Sequence, residues 1–238
     1  MTDMQATGAT DARPLVLIDF DGVINQFPDG KVRRRQNSTG WMRPGDPRVG
    51  LYSPGNWFVP DHREDIDTRY HGRLRLLWSG ELVERLKALD AQVVWLSTWQ
   101  PYVDALDLRL GVDWPTEHWY DPVTREHRYT GKRRTVLDHL ADGRPIVWID
   151  DEETTYDAGL ALVGTGPQAP VLAVGPDTHV GISRPQMALI ERFVASPPAD
   201  PVVRFEISRD GRDGSWGFGG DALPLPWNLS GPVGHTGL

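Results

Sequence analysis

The 238 residues carry 33 acidic and 25 basic side chains, a formal net charge of −8, and 39% hydrophobic against 24% charged residues, the balance of an ordinary globular chain rather than of a disordered or fibrous one. Such an acidic balance excludes a protein that coats long nucleic acid, because that affinity comes from many Lys and Arg contacts to phosphates, while a small phosphorylated ligand stays compatible with it. The absence of cysteine excludes disulfide scaffolds, thiolate zinc sites and cysteine nucleophiles.

Residues 1–13 are polar and acidic, without the basic start and apolar run of a signal peptide, and no stretch reaches the ~20 apolar residues of a membrane span. A disordered N-terminus and a cytoplasmic protein without membrane contact are the expectation. Within residues 14–20, Leu15, Val16, Leu17 and Ile18 form an unbroken apolar run that ends in acid, the pattern of a strand buried on both faces. Residues 26–78 then scatter Gly, Pro, Trp and Arg without helical periodicity. An ordered cap with short strands, inserted after the first strand, is expected there, since Trp41, Trp57, Phe58 and Trp78 would be costly to leave in a solvated coil.

Beyond it, Ser79 is placed as the N-cap of a helix over residues 80–89, and residues 91–96 repeat the buried-strand pattern and end in Ser97-Thr98. Helices are predicted over residues 102–110, 133–140 and 185–194, and further strands over residues 145–149, ending in Asp150-Asp151, and 171–174. From residue 197 to 238 the chain becomes a Pro/Gly-rich extension. Val203, Phe205 and Ile207 alternate there as one edge strand would, and little regular structure is expected beyond Asp210. Strands alternating with helices predict an α/β fold, a three-layer, Rossmann-like parallel sheet with a cap insertion, and in such sheets ligands bind beyond the carboxyl ends of the strands. The main domain is expected over residues 14–196.

Asp19-Phe20-Asp21-Gly22-Val23 is the sharpest chemical feature. Residues two apart on a strand face the same side, so Asp19 and Asp21 are expected to share a pocket, which calls for a shared proton or a cation. A hard divalent ion such as magnesium is the natural partner; the competing reading is a turn with solvated acids. Asp150 and Asp151 supply further carboxylates, or else cap a helix. Ser97, or Thr98 if the strand runs one residue further, has a hydroxyl for a phosphoryl oxygen. Lys132, just before a helix, has an ammonium for both nucleophile and phosphate, or is an ordinary surface lysine. The run Lys31, Val32, Arg33, Arg34, Arg35 either grips an anionic substrate or is a solvated loop, and Trp41, Trp57 and Trp78 either stack on a base or form the core of the cap. The seven histidines show no zinc-binding spacing.

The ordered set DFDGV, WLST, TGK and WIDDE resembles the four motifs of the haloacid dehalogenase superfamily, over roughly residues 15–194. GRPIVWIDDE, the STW after the second strand and GISRPQMALIERF resemble a narrower group, the domains associated with RNA-repair proteins, related to the phosphatase half of polynucleotide kinase-phosphatases. The resemblance implies that Asp19 attacks phosphorus and becomes an aspartyl phosphate, and that Asp21 protonates the leaving oxygen and later activates water. It implies that Ser97 and Lys132 orient and neutralise the phosphoryl group, and that magnesium sits among Asp19, the backbone carbonyl of Asp21, Asp150 and Asp151, the last through its waters. Gly22, Thr98 and Arg34 are the expected substrate contacts. Dehalogenases of this superfamily lack an acid at the position of Asp21, which favours hydrolysis of a phosphate monoester, on a small molecule or a nucleic-acid terminus. A catalytically silent binding module and a phosphotransferase are the alternatives.

Overall fold

The computed structural model describes residues 13–69, 72–126, 131–207 and 227–229; nearly all of the N-terminus expected to be disordered, and most of the C-terminal extension, lie outside them. In chain order the strands are β1 (Leu15–Ile18), β2 (His62–Thr68), β3 (Gly72–Trp78), β4 (Gln92–Trp95), β5 (Ile146–Ile149), β6 (Val171–Gly175), β7 (Val203–Ile207) and β8 (Trp227–Leu229). The helices are α1 (Gly30–Arg34), α2 (Arg48–Leu51), α3 (Gly80–Lys87), α4 (Val103–Leu110), α5 (Gly131–His139), α6 (Tyr156–Thr165) and α7 (Arg184–Ala195).

The unbroken apolar run of β1 becomes a central strand, every side chain buried, flanked in parallel by β4 and β5. The sheet runs β4-β1-β5-β6-β7-β8, with the first five strands parallel and β8 antiparallel to β7. Alternation along each strand sorts its side chains onto two faces. Val16, Ile18, Val93, Trp95, Val147, Ile149, Leu172 and Val174 pack with Leu82, Val83 and Leu86 of α3, Leu106 and Leu110 of α4, and Met187, Ile190 and Phe193 of α7. Leu15, Leu17, Val94, Ile146, Trp148, Val171, Ala173, Val203 and Phe205 pack with Val136 of α5 and with Ala158 and Leu162 of α6. Helices on both faces of a parallel sheet give a layered α/β architecture compatible with a Rossmann-like three-layer fold. Among the described residues no helix is long and apolar enough to cross a membrane.

The sequence pattern and the structure differ at several elements. α6 was not anticipated: Gly159 and Gly164 dilute its helical signal, yet the Thr155 hydroxyl caps it by accepting from the Ala158 N–H. β7 is no edge strand, because β8 covers its free side, and β8 itself is regular structure beyond Asp210. Ser79 stands at the N-cap of α3 without a capping hydrogen bond; Asp61 supplies it, accepting from the Gly80 N–H at 2.7 Å. α5 begins at Gly131, so Lys132 lies in its first turn rather than before it.

Residues 26–78 contain α1, α2 and the β2–β3 hairpin. The hairpin is not a separate body, since Ile66, Leu76 and Trp78 join the main core. A small cluster of Val32, Tyr52, Trp57 and Val180 holds the α1–α2 part. Trp57 and Trp78 are buried, as their core reading required, while Trp41 is half-buried with the Lys31 ammonium 4.1 Å from its ring centre. Gln26 locks this segment in place. Its backbone N–H donates to the Leu77 carbonyl, its side-chain oxygen accepts from Trp57 Nε1 at 2.7 Å, and its amide nitrogen donates to the Phe58 carbonyl at 2.9 Å. Gln26→Leu leaves the Trp57 N–H and the Phe58 carbonyl buried without partners, and a loss of ~2–4 kcal/mol is expected in denaturant-induced unfolding.

Candidate active site

The three strands β1, β5 and β4 stop abreast, and the residues just past their ends are Asp19, Asp150-Asp151 and Ser97. Backbone hydrogen bonds extend the pairing one step past the strands: the Asp19 N–H donates to the Ile149 carbonyl and the Asp150 N–H to the Val174 carbonyl, both near 3 Å. Asp19, Asp150 and Asp151 are all buried, and one carboxylate oxygen of each lies within 4.8 Å of the others, a set that can hold a metal ion.

Lys132 enters this group from the first turn of α5. Its Nζ donates to Asp19 Oδ2 at 2.6 Å and to Asp150 Oδ2 at 2.8 Å. Gly131 makes the approach possible: a Cβ there would stand 2.4 Å from the Trp119 carbonyl oxygen and 2.7 Å from its ring. The other oxygen of Asp19 accepts from the Phe20 N–H at 2.7 Å. Asp150 Oδ1 accepts from the N–H groups of Glu152 and Glu153, and its carbonyl accepts from the Thr154 hydroxyl. Ser97 is fully buried, near enough to Asp19 to favour its ionised form, and its hydroxyl accepts from the Trp99 N–H.

One ammonium stands among three carboxylates, and the charge balance shows in the proton affinities of Asp19 and Asp151. Burial pushes Asp19 up to about 7, with Lys132 pulling down and Asp150 pushing up. Burial, then the charges of Asp150 and Asp19, push Asp151 up to about 8 against a hydrogen bond from the Thr178 hydroxyl at 2.6 Å. Burial works against the charge on Lys132, but Asp150 and Asp19 outweigh it and raise its pKa. Every ligand available is a hard carboxylate oxygen, so the site fits a hard divalent cation such as Mg²⁺ or Ca²⁺.

Asp21 lies beyond the end of β1 rather than on the strand. β1 ends at Ile18, and residues 20–25 form a tight turn in which the Ile24 and Asn25 N–H groups return to the Phe20 carbonyl. Strand alternation therefore stops before Asp21, and its carboxylate is not part of the three-acid group. Instead it accepts from Asn25 Nδ2 at 2.6 Å and from Trp99 Nε1 at 2.8 Å and lines a neighbouring cavity of about 300 Å³. Thr98 is exposed at the rim of that cavity. Gly22 packs beneath Asp151 rather than facing a ligand space: at φ +65° a Cβ would fall 2.0 Å from Asp151 Oδ2. Arg34 is exposed on α1, beside Gly30, and is not among the cavity's lining residues. Asn25, Trp99, Trp119 and Thr178 complete the site without having been singled out for it from sequence; only the STW triplet pointed near one of them.

Two outcomes are expected. Gly22→Ala combines a left-handed backbone with a collision against Asp151, and should destabilise the fold by at least ~2 kcal/mol and weaken divalent-ion binding, read by calorimetry. For pH, Asp19 and Asp151 titrate higher in the folded chain than at the 3.8 of a free aspartate. The folded state then binds more protons than the unfolded one between about pH 4 and 8, so stability falls as pH rises through that window. Lys132, with its raised pKa, contributes a constant stabilisation there. Metal-free protein should lose on the order of a few kcal/mol between pH 5 and pH 8, and millimolar Mg²⁺ should raise Tm more at pH 8 than at pH 5.

No protein-family model, curated protein or solved structure matches this chain, so the geometry and chemistry of the site carry the functional reading.

Proposed function

We propose that the chain is a Mg²⁺-dependent phosphomonoester hydrolase that works through an aspartyl phosphate on Asp19. The observation that carries this reading is the setting of that one carboxylate: buried at a strand end, fixed at one oxygen by the Phe20 N–H and at the other by Lys132, and grouped with Asp150 and Asp151. The ordered motifs around Asp19, Ser97, Lys132 and Asp150-Asp151, which resemble those of haloacid dehalogenase-type phosphatases, agree with it.

Bound by Asp19, Asp150 and Asp151, Mg²⁺ would supply the positive charge that lets the carboxylates ionise together and that neutralises phosphoryl oxygens. Asp19 attacks phosphorus; the new Asp19 O–P bond forms as the ester P–O bond breaks. Lys132 and Ser97 balance and orient the charge that spreads over the transferring group. Asp21, held by Asn25 and Trp99, gives its proton to the departing alcohol oxygen. In the second half it takes a proton from the water that attacks the acyl phosphate, which frees Asp19 and releases inorganic phosphate. The N–H groups of Asn25 and Trp99 fix the orientation of the Asp21 carboxylate. Residues 26–78 are assigned the cap, because Thr68 and Leu74 of its hairpin line the cavity beside Asp21.

With Mg²⁺, purified protein should hydrolyse a generic aryl phosphate. Asp19→Asn should lower the rate at least ~10³-fold while raising the metal-free Tm, since it removes one of three crowded charges; Asp21→Asn should lower kcat ~10²–10⁴-fold. Inactivity across a broad panel of phosphate esters would sink the proposal. Discharge of a trapped aspartyl phosphate to an alcohol faster than to water would make the chain a phosphotransferase instead.

A further inference from the structure

The cavity beside Asp21 has a composition of its own. Its walls are Trp99, Tyr102, Tyr120, Leu74, Pro101 and Pro122; its polar members, besides Asp21, are Thr68, Thr98 and Arg125. The aromatic walls are fixed in place. Trp99 is buried, packs edge-on against Phe20 at 5.3 Å and Tyr102 at 6.0 Å, and donates its N–H to Asp21. The Tyr102 hydroxyl accepts from the Arg69 N–H, and the Tyr120 hydroxyl donates to the Thr98 carbonyl. Arg125 is held at φ +62° by a turn in which Asp121 accepts from the N–H groups of Val123, Thr124 and Arg125.

We infer that this cavity receives the leaving group, and that the substrates are small phosphomonoesters whose alcohol carries a planar ring. The inference rests on the proposed role of Asp21. A group that protonates the departing oxygen must touch it, so the alcohol side of the ester lies on the side where Asp21 opens, and that side is this cavity. Rigid aromatic walls favour a flat ring over a flexible polyol, because ring-on-ring contact recovers surface without ordering the wall side chains. A volume of about 300 Å³ lies at the lower end of small-molecule sites and suits one or two rings. Among the described lining residues Arg125 is the single cation, which suits one hydrogen-bond acceptor or charge on the ring moiety. A phosphorylated polymer would call for a row of cations along its backbone. A nucleoside and a simple benzylic alcohol share this chemistry.

The test compares esters of primary alcohols, so that intrinsic leaving ability is matched: ethyl phosphate, benzyl phosphate, a nucleoside 5′-monophosphate and a 5′-phosphorylated oligonucleotide, each with Mg²⁺. At least one of the two small ring esters should exceed ethyl phosphate tenfold or more in kcat/KM, and which one does tells the benzylic from the nucleoside source. Leu74→Trp, which fills the cavity, should cut the ring-to-ethyl ratio at least fivefold, and Tyr102→Ala should cut it in the same direction if Leu74→Trp does not fold by circular dichroism. Equal turnover of ethyl and ring esters overturns this inference and leaves the phosphatase reading standing. So does a ring preference that both folded variants retain, or an oligonucleotide tenfold better than either small ring ester. Absence of turnover with every ester overturns both.

Discussion

A single buried ammonium held between two buried carboxylates organises this molecule. Lys132 touches Asp19 and Asp150 at hydrogen-bond distance, and a third acid, Asp151, stands beside them with no ammonium of its own within that pair. Burial of like charges is unfavourable unless protons or a cation intervene, and the elevated proton affinities of Asp19 and Asp151 express that imbalance. The fold does not remove it. It aims the excess negative charge at one point, where a hard cation gains most.

Backbone geometry makes the concentration of charge possible. Parallel strands of matched register end together, so β1, β4 and β5 deliver Asp19, Ser97 and Asp150 to one edge without any long-range side-chain contrivance. Two glycines then permit contacts closer than any side chain would allow. Gly22 lets the turn after β1 pass beneath the Asp151 carboxylate, and Gly131 lets α5 start against Trp119, which sets the reach of Lys132. Each glycine looks like a turn residue in the sequence, and each is a spacing device in the structure.

How much could be read beforehand follows from the range of the forces involved. The sheet was legible, because the unbroken apolar runs at residues 15–18, 93–96 and 146–149 carry their own burial signal. Asp19, Ser97, Lys132, Asp150 and Asp151 were legible for the same reason, each standing beside such a run or a helix start. Asp21 stands in a turn and not on the strand, because hydrogen bonds to the Phe20 carbonyl end the alternation. The hairpin was hidden by its own chemistry. β2 reads His-Arg-Glu-Asp-Ile-Asp-Thr, with charges on its open side that pair across the ladder, Asp65 with Arg73 and Arg75, so only Ile66 hinted at a core face. Trp99 and Thr178 reach the site from loops, whose paths depend on distant packing and leave no periodic trace.

Asn25 joins the turn that carries Asp21 to the hairpin. Its Nδ2 donates to Asp21, and its Oδ1 accepts from the Leu77 N–H of β3 at 2.8 Å, in the core. The next residue, Gln26, donates its own N–H to the Leu77 carbonyl. Both backbone polar groups of Leu77, its N–H and its carbonyl, are thus bonded to the segment that follows Asp21, which ties the turn carrying that carboxylate to β3. Thr68 and Leu74 on the same hairpin line the cavity that Asp21 faces. The cavity and the Asp21 carboxylate thus share the hairpin, as a wall and as an anchor, whereas Asp19, Asp150 and Lys132 are held by the central sheet and α5.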